Sequence, residues 1–284
     1  STFSLAGKLR LIESLVDAGV RSIEATSFVS PRAVPQMADA DALFPRLPER
    51  SRVRYSALVP NVRGLERAAV AGVREVALVL SATETMNQKN INLGLDQAVD
   101  VCAETLKSAR AMGMRAKVYL AVAFECPFEG PTPADRVLSL GDKMLEAGAE
   151  EIVVADTIGA VAPLAVAAFF RRCMAAWRGA RVSAHFHDTR AMAIANAWAA
   201  LEQGVRKFDA SIGGLGGCPF APGAAGNLAT EDLVLMLEQC GYETGIDIGR
   251  LRRAVAVAGE LVGQPVGGRC SSWLAAQEQR ASRS

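Results

Sequence analysis

The sequence lacks the features that mark several large classes of protein. Lys and Arg total 31 and Asp and Glu total 30 among 284 residues, so the formal net charge is only +1. A dedicated nucleic-acid or membrane-surface binder needs a clear basic excess, and we therefore expect neither partner. One local basic pocket for a phosphorylated ligand is still compatible with this balance. No apolar run approaches the length that spans a bilayer.

The cysteines also lack a motif. The sequence has six of them with no CxxC pair: Cys102, Cys126, Cys173, Cys218, Cys240 and Cys270. Half of the residues are apolar, which is enough for a large core. In such a chain, scattered cysteines are typical of free and mostly buried thiols in a reducing compartment. No signal peptide is visible from Ser1 onward.

One pattern repeats along the chain, namely an amphipathic helix, a glycine and a short apolar strand. The first copy is a helix over Leu5–Ala18, capped by Gly19 and followed by a strand over Ser22–Ser27. The predicted strands are Ser22–Ser27, Arg54–Val59, Glu75–Leu80, Arg115–Val122, Glu151–Asp156, Arg181–Phe186 and Lys207–Ser211. Helical periodicity between them fits Arg63–Ala71, Leu95–Met112, Pro133–Ala147, Pro163–Trp177, Ala191–Gln203 and Glu231–Cys240.

Strands that alternate with helices predict parallel βαβ units and an α/β fold, the (β/α)8 TIM barrel. We predict one domain over residues 1–284, in which residues 247–284 form accessory C-terminal helices. A closed barrel needs eight strands, whereas the pattern gives only seven. Because the chain opens with a helix, we expect the first strand to be absent from this chain and to lie upstream of Ser1.

The only two histidines stand together as His185-Phe186-His187 at the end of a predicted strand. Residues i and i+2 of a strand point to the same face, and the carboxyl end of a barrel strand carries the active site. Two imidazoles on one face can bind the same divalent metal ion. The alternative is a pair of hydrogen-bonded core histidines, which we favour less because the pair holds every histidine of the chain.

A glycine-rich loop over Gly213–Asn227 follows the last predicted strand and contains Cys218. Glycines allow positive φ angles and a close approach of the backbone to a ligand. A thiol on such a loop is a candidate general acid on a lid. The alternative is a flexible linker with an incidental cysteine, which ends in Asn227 as a helix N-cap.

Two carboxylates stand in apolar strands, where they are costly unless paired or bound to metal. Glu24 lies inside the first predicted strand, and Asp156 ends the strand Glu151–Asp156. We predict that Asp156 points into the mouth of the barrel. The alternative is an aspartate that caps a turn.

Several segments together resemble the 3-hydroxy-3-methylglutaryl-CoA lyase family, which belongs to a group of metal-dependent barrels that includes isopropylmalate and homocitrate synthases. The matching segments are Ile23–Pro31, Val34–Met37, Lys89–Asn92, Cys126–Gly130, Asp156–Gly159, His185–Thr189 and Gly213–Asp232. The glycine–cysteine loop that ends in Gly-Asn-Leu-Ala-Thr-Glu-Asp is the most specific of them.

The resemblance implies a lyase that cleaves 3-hydroxy-3-methylglutaryl-CoA to acetyl-CoA and acetoacetate, as in leucine catabolism and ketone-body formation. It implies that His185, His187 and Asn227 bind Mg²⁺ or Mn²⁺. It also implies an aspartate ligand and an arginine from a first-strand motif Arg-Asp-Gly-Leu-Gln, which this chain lacks. A second departure is Arg190-Ala191, where many relatives have Tyr-Gly.

The same resemblance implies roles for further residues. We expect Asp156 to act as the base with help from Glu24, and Cys218 to protonate the acetyl-CoA enolate. The expected substrate contacts are Asn90, Lys89, Ser27 and Thr157. Relatives suggest a homodimer. The Ala- and Arg-rich composition is compatible with a bacterial cytoplasmic protein, and the alternative is the mitochondrial matrix for a chain whose N-terminus has been removed. Citramalyl-CoA cleavage and an inactive barrel that binds metal or CoA are the alternatives.

Overall fold

The structure is a computed structural model that describes residues 3–32, 34–49, 52–178, 181–217 and 226–281. The strands are β1 Ser22–Ser27, β2 Arg54–Leu58, β3 Glu75–Ser81, β4 Arg115–Ala121, β5 Glu125–Cys126, β6 Gly130–Pro131, β7 Glu151–Asp156, β8 Arg181–Phe186 and β9 Phe208–Asp209. The helices are α1 Leu5–Asp17, α2 Ala40–Leu43, α3 Val62–Val70, α4 Glu84–Ile91, α5 Leu95–Ala111, α6 Ala134–Ala147, α7 Pro163–Ala176, α8 Ala193–Glu202, α9 Thr230–Gln239, α10 Ile248–Val262 and α11 Ser271–Ala281.

The main sheet has seven strands in the order β1-β2-β3-β4-β7-β8-β9, and all of its neighbours run parallel. Helices connect successive strands, as the predicted βαβ pattern requires. Strands β5 and β6 form a separate antiparallel hairpin. Within the described ranges, no strand pairs with the outer edge of β1 or of β9. The predicted barrel class and its seven strands are confirmed.

The two faces of the sheet differ in chemistry because side chains alternate along each strand. One face of β4 and β8 carries Val118, Leu120, Ala184 and Phe186, which are buried in the main hydrophobic core beneath the helices. The opposite face of β4 carries Lys117, whose side chain lies inside the curled sheet. The core therefore lies between sheet and helices, and the polar groups collect inside the sheet.

The two C-terminal helices predicted for residues 247–284 are present as α10 and α11. The first of them joins the outer layer of helices, because α10 packs against α1. Leu251 and Ala258 share an apolar cluster with Ala18, and the Asp247 backbone N–H donates to the Ala18 carbonyl over 2.8 Å. Helices near the two ends of the described chain, α1 and α10, thus contact each other in the outer layer.

Helix α2 and the β5–β6 hairpin were not predicted from the sequence, and two larger local features also differ from the prediction. The strand expected over Lys207–Ser211 is reduced to Phe208–Asp209, because the glycine-rich segment begins immediately after it. Helix α4 was not predicted, since it is only eight residues long and is mostly polar. Among the described helices, none has both the length and the hydropathy needed to cross a bilayer.

Candidate active site

The two imidazoles lie at the carboxyl end of β8, on the inner face of the sheet. His185 is in register with Ala155 on β7 and with Asp209 on β9. The ring centroids of His185 and His187 are 5.2 Å apart. His187 is buried, with 7% of its surface exposed. The predicted common face of the two rings is thus present in the structure.

Asn227 reaches the same place from the far side of the glycine-rich loop. It forms an antiparallel bridge with His187, and the flanking Leu228 N–H donates to the Phe186 carbonyl over 2.9 Å. Its side-chain Nδ2 donates to the Leu215 carbonyl over 2.8 Å. The amide nitrogen is therefore occupied, and the Oδ1 oxygen remains available as a ligand.

Three polar atoms in this cluster are buried without a hydrogen-bond partner: His185 Nδ1, His187 Nδ1 and Asn227 Oδ1. Burial of a polar atom without a partner costs free energy, so such a concentration points to a missing group. Burial, and then the neighbouring His185, lower the pKa of His187 to about 4. A neutral imidazole keeps the lone pair that a metal needs, and the donor set of two nitrogens and an amide oxygen fits a divalent cation.

The cluster is a partial coordination shell. Among the described residues, no group of three or more His, Cys, Asp or Glu side chains is placed to hold a metal. Asn227 supplies the third donor of the set that the resemblance implies. The aspartate that would complete this set belongs to the first-strand motif that the sequence lacks.

Close packing at two glycines fixes the position of Asn227. A Cβ atom on Gly226 would lie 1.7 Å from the Gly214 carbonyl oxygen, and one on Gly216 would lie 2.5 Å from the Asn227 amide nitrogen. Gly216 also has a φ of +97°, in the region that favours glycine. The glycine-rich sequence is thus required for the two ends of the loop to meet. Cys218 lies outside the described residues.

A network of charged side chains continues from His185 into the interior of the sheet. An Asp209 carboxylate oxygen lies 3.7 Å from His185 Nδ1 and is also bonded to the Tyr119 hydroxyl. That hydroxyl lies 3.3 Å from the Glu24 carboxylate, which is 3.3 Å from Lys117 Nζ. The predicted catalytic residue Glu24 is therefore connected to the imidazole pair through Tyr119 and Asp209.

The network perturbs the ionisation of its members. Burial raises the pKa of Glu24, and the Lys117 charge offsets only part of this effect. Burial also acts to raise the pKa of Asp209, but its contacts with His185 and Lys117 prevail and hold it well below the usual range. Asp209 is therefore ionised next to the imidazole pair, whereas Glu24 is the more basic carboxylate.

Asp156 does not point into the barrel, and the predicted orientation is wrong. Its register partner on β8 is Phe186, whose side chain faces the helices. The carboxylate is buried and accepts the backbone N–H groups of Ala160, over 2.9 Å, and Val161, over 3.2 Å. Side chains alternate along a strand, and Asp156 directly follows Ala155, which faces inward. The Asp156 side chain therefore lies on the opposite face, toward the helices. The geometry fits the alternative of an aspartate that caps a turn.

The expected substrate contacts fall in three places. Ser27 ends β1, and its hydroxyl is buried without a partner. Lys89 and Asn90 are exposed near the end of α4, which follows β3. The Thr157 hydroxyl instead accepts the Val122 N–H over 2.8 Å and so links the ends of β4 and β7. Ser27, Lys89 and Asn90 remain open to a ligand, whereas Thr157 has a structural bond.

Sequence reasoning missed Lys117, Tyr119 and Asp209. A signal for them exists, because Lys117 and Tyr119 interrupt an apolar strand with a spacing of two, which places both on one face. Asp209 stands four residues before Gly213, where the glycine-rich segment begins, on the strand next to His185. Polar residues at alternate positions of a buried strand indicate that one face of the strand lines a polar interior.

The C-terminal turn stabilises the base of the glycine-rich loop. The buried Glu231 carboxylate accepts the N–H groups of Gly213, over 3.1 Å, and Gly268, over 2.7 Å. Arg269 Nε donates over 3.1 Å to Asp188, the residue after His187. One carboxylate thus joins the start of the loop to residues near the C-terminus.

The curled parallel sheet, with a cluster of candidate cation ligands at its carboxyl edge, defines an α/β barrel of the TIM type with an enzyme-like site. The HMGL-like family profile matches residues 1–257. The hydroxymethylglutaryl-CoA lyase of Pseudomonas mevalonii is 44% identical over 264 residues, which cover 93% of this chain and 86% of that protein. The chain therefore belongs to the HMGL-like family, and the resemblance seen in the sequence is confirmed.

Two further proteins bear on the substrate. An (R)-citramalyl-CoA lyase of Chloroflexus aurantiacus is 41% identical over 271 residues, which cover 92% of this chain and 86% of that protein. The structure of an HMG-CoA lyase from Acinetobacter baumannii in complex with coenzyme A and 3-methylmalate superposes with a TM-score of 0.91. It is 36% identical, and the match covers 96% of this chain and 89% of that one.

Proposed function

We propose that this protein is a divalent-metal-dependent carbon–carbon lyase that cleaves 3-hydroxy-3-methylglutaryl-CoA to acetyl-CoA and acetoacetate. The observation that carries the proposal is the convergence of the His185 and His187 imidazoles with the Asn227 side chain at the carboxyl edge of the sheet. In this cluster His187 Nδ1 and Asn227 Oδ1 are buried without a hydrogen-bond partner. Membership of the HMGL-like family and the identity to a named hydroxymethylglutaryl-CoA lyase support the reaction class.

In this proposal, His185, His187 and Asn227 hold Mg²⁺ or Mn²⁺. A bound cation would supply Lewis acidity, which lowers the pKa of a substrate hydroxyl. Asp209 holds a negative charge 3.7 Å from His185 Nδ1 and so favours one orientation of that ring. The Leu215 carbonyl fixes Asn227 with its oxygen free. The chain thus orients two of the three donors, His185 and Asn227, through a neighbour.

Cleavage also needs a base and an acid. The base removes the proton of the C3 hydroxyl, and the C2–C3 bond then breaks to release acetoacetate and the enolate of acetyl-CoA. Among the described candidates, Glu24 fits the base better than Asp156, because its carboxylate lies inside the sheet and its pKa is raised. Cys218 on the glycine-rich loop would return a proton to the enolate carbon. These roles, the homodimer and the cytoplasmic location are parts of the proposal.

A second substrate is favoured by a specific observation. The (R)-citramalyl-CoA lyase relative is nearly as similar to this chain as the hydroxymethylglutaryl-CoA lyase of P. mevalonii, at 41% against 44% identity. Citramalyl-CoA carries a tertiary hydroxyl beta to the thioester, so the same donors and the same bond cleavage would serve. Its ketone product would be pyruvate instead of acetoacetate.

Product analysis tests both substrates. The full-length protein, loaded with Mg²⁺ or Mn²⁺, is incubated with each thioester, and acetyl-CoA is measured together with acetoacetate or pyruvate. We expect acetyl-CoA and acetoacetate in equal amounts from 3-hydroxy-3-methylglutaryl-CoA. A preference for citramalyl-CoA would select the second substrate. Absence of turnover with both would contradict the lyase proposal and leave a barrel that only binds metal or CoA.

A further inference from the structure

The turn that follows β8 contains a strained residue. Residues 188–191, which we call the histidine turn, begin directly after His187. The Ala191 N–H closes the turn by donating to the Asp188 carbonyl over 3.0 Å. Ala191 has a φ of +57°, in the left-handed region where glycine is favoured and a side chain is costly. Because no glycine relieves this cost, contacts from outside the turn must hold it.

Arg190 makes such contacts with two neighbouring loops. Its Nη1 donates over 3.0 Å to the carbonyl of Ala160, in the turn after β7. Its Nη2 lies 3.8 Å from the carboxylate of Glu125, at the start of the β5–β6 hairpin after β4. Strands β4, β7 and β8 are consecutive neighbours in the sheet. One side chain therefore connects the loops at the carboxyl ends of three adjacent strands.

The two halves of the histidine turn are held differently. The Asp188 carboxylate accepts the Ala193 N–H over 3.1 Å at the start of α8 and Arg269 Nε over 3.1 Å. In the described part of the chain, residues 189–191 have only the bond that closes the turn and the contacts of Arg190. Arg190 and Ala191 are also the two positions at which the sequence departs from many relatives. The strained residue and the side chain that holds it thus occur together.

The histidine turn continues the pairing between His187 and Asn227. The Asp188 N–H donates to the Gly226 carbonyl over 3.0 Å. This bond lies next to the antiparallel bridge between His187 and Asn227. A Cβ atom on Gly159 would lie 2.8 Å from the His187 carbonyl oxygen, so the turn after β7 packs directly on the same backbone. Displacement of the histidine turn would therefore move both candidate metal ligands.

We propose that Arg190 is a positioning residue, which ties the strained histidine turn to the Ala160 carbonyl and so keeps His187 and Asn227 in the geometry that binds a divalent cation. This inference rests on the proposed function for the cation, but not for the contact. Arg190 bonds to no candidate ligand atom, and it therefore acts through the backbone of the turn. Groups that orient metal ligands from outside contribute roughly 10-fold or more to metal affinity.

Hydrogen exchange in the metal-free, full-length protein tests the contact itself. The wild type is compared with Arg190→Met, which removes both contacts, and with Arg190→Lys, which can still donate to one carbonyl. The control is Arg172→Met, because Arg172 on α7 is 47% exposed, against 52% for Arg190, and also forms an ion pair.

The readout is the exchange of the Asp188 and Leu228 N–H groups, which pair across the bridge. We expect Arg190→Met to speed both by roughly 10-fold, because local opening becomes easier. Arg190→Lys should have a smaller effect, and Arg172→Met should have none. Should Arg190→Met fold poorly, as judged by its metal-free Tm, Arg190→Lys carries the same comparison.

Binding of Mn²⁺ alone, followed by electron paramagnetic resonance, tests the consequence without turnover. Arg190→Met should weaken Mn²⁺ binding by roughly 10-fold, and Arg190→Lys should recover most of this loss. Ala191→Gly removes the strain, so the turn then depends less on Arg190. In that background, Arg190→Met should weaken Mn²⁺ binding by only about 3-fold.

The outcomes separate this inference from the function on which it rests. Exchange rates or Mn²⁺ affinity in Arg190→Met equal to those of an active wild type would overturn the role of Arg190 alone. An equal loss of Mn²⁺ affinity in Arg172→Met would also overturn it. A wild type that binds Mn²⁺ but cleaves no thioester would contradict the lyase proposal alone. A wild type that binds no Mn²⁺ would contradict both.

Discussion

The two ends of the curled sheet satisfy their buried polar groups in opposite ways. At the amino end, Glu151 accepts the Ser183 hydroxyl over 2.8 Å and both of its oxygens accept Lys207 Nζ, over 2.9 and 2.7 Å. Arg115 pairs with Glu75 at the same end. At the carboxyl end, His185, His187, Asn227 and Ser27 each keep a buried polar atom without a partner.

This difference separates stability from function. The groups at the amino end are paired, because each charge that the sheet buries there has an opposite charge or a hydroxyl beside it. Unpaired atoms at the carboxyl end cost stability, and in the proposed function a bound ligand supplies their missing partners. Variants at the two ends should therefore affect different measurements.

The largest expected effect is that of His187→Ala. Loss of a ligand nitrogen should abolish stoichiometric binding of Mg²⁺ or Mn²⁺ and reduce kcat/KM by roughly 10³-fold or more. The rise in Tm that metal gives the wild type should also disappear. Metal analysis after desalting and a thermal melt with and without metal measure both effects.

The matched control lies four residues earlier on the same face of β8. Ser183→Ala removes a hydroxyl that bonds to Glu151 at the amino end. It should keep the metal stoichiometry and kcat of the wild type. Retained metal in His187→Ala, or lost metal in Ser183→Ala, would contradict the division between the two ends.

The next effect is expected at the amino end. Glu151→Ala leaves Lys207 without its carboxylate and should lower the free energy of unfolding by about 3 kcal/mol. This is the lower end of the range for such pairs, because 29% of the Lys207 side chain is exposed. Denaturant titration measures this loss, and kcat and metal affinity below the unfolding transition should stay the same. Glu150→Ala, at the exposed neighbouring residue, is the control and should change neither. A metal affinity that falls in Glu151→Ala would show that the two ends are coupled.

Much of this architecture could be predicted because it depends on local periodicity. The seven strands, the glycines between helix and strand and the common face of His185 and His187 all follow from repeats of two or 3.6 residues. The approach of Asn227 to His187 spans 40 residues of sequence, and it came only from the family resemblance. Asp156 was misplaced because one residue at a strand end decides which face a side chain takes.

The interior network was missed for a different reason. Glu24, Tyr119 and Asp209 come from three strands, and their contacts depend on how the sheet curls. A single sequence shows which residues share a strand face, but it does not show which faces meet across a barrel. The approach of Arg32 to Arg63 is similar, because Arg32 follows β1 whereas Arg63 lies in the first turn of α3, where Gly64 packs on the Phe28 carbonyl.

The third prediction concerns Glu24, whose carboxylate lies between the two ends. Glu24→Gln should lower kcat by about 10²-fold if this carboxylate is the base, and it should leave metal affinity unchanged. If Glu24 is the base, activity requires its ionised carboxylate. Since the pKa of Glu24 is raised by burial and by Asp209, against the opposing charge of Lys117 and the Tyr119 hydrogen bond, the acid limb of the kcat profile should lie above the usual glutamate range.

A pH–rate profile between pH 4 and 9 measures that limb. Lys117→Met is the companion variant, because removal of the opposing charge should raise the pKa of Glu24 further and shift the limb to higher pH. An acid limb that does not move in Lys117→Met would exclude Glu24 as the titrating base. A fall in metal affinity in Glu24→Gln would assign Glu24 to the coordination shell instead.

The smallest expected effect is on the cysteines. Burial raises the pKa of Cys102 and of Cys173 to about 12, so neither thiol should react with N-ethylmaleimide in the native protein, whereas Cys240 is exposed. Cys240 follows α9, a helix of ten residues or about 15 Å that begins next to the Asn227 segment. Brief labelling followed by peptide mass spectrometry should therefore modify Cys240 and neither buried thiol. In Cys218→Ser, where the Cys218 thiol cannot contribute, Cys240 labelling should leave metal affinity unchanged. Loss of metal on labelling would show that the carboxyl-end site depends on the far end of α9.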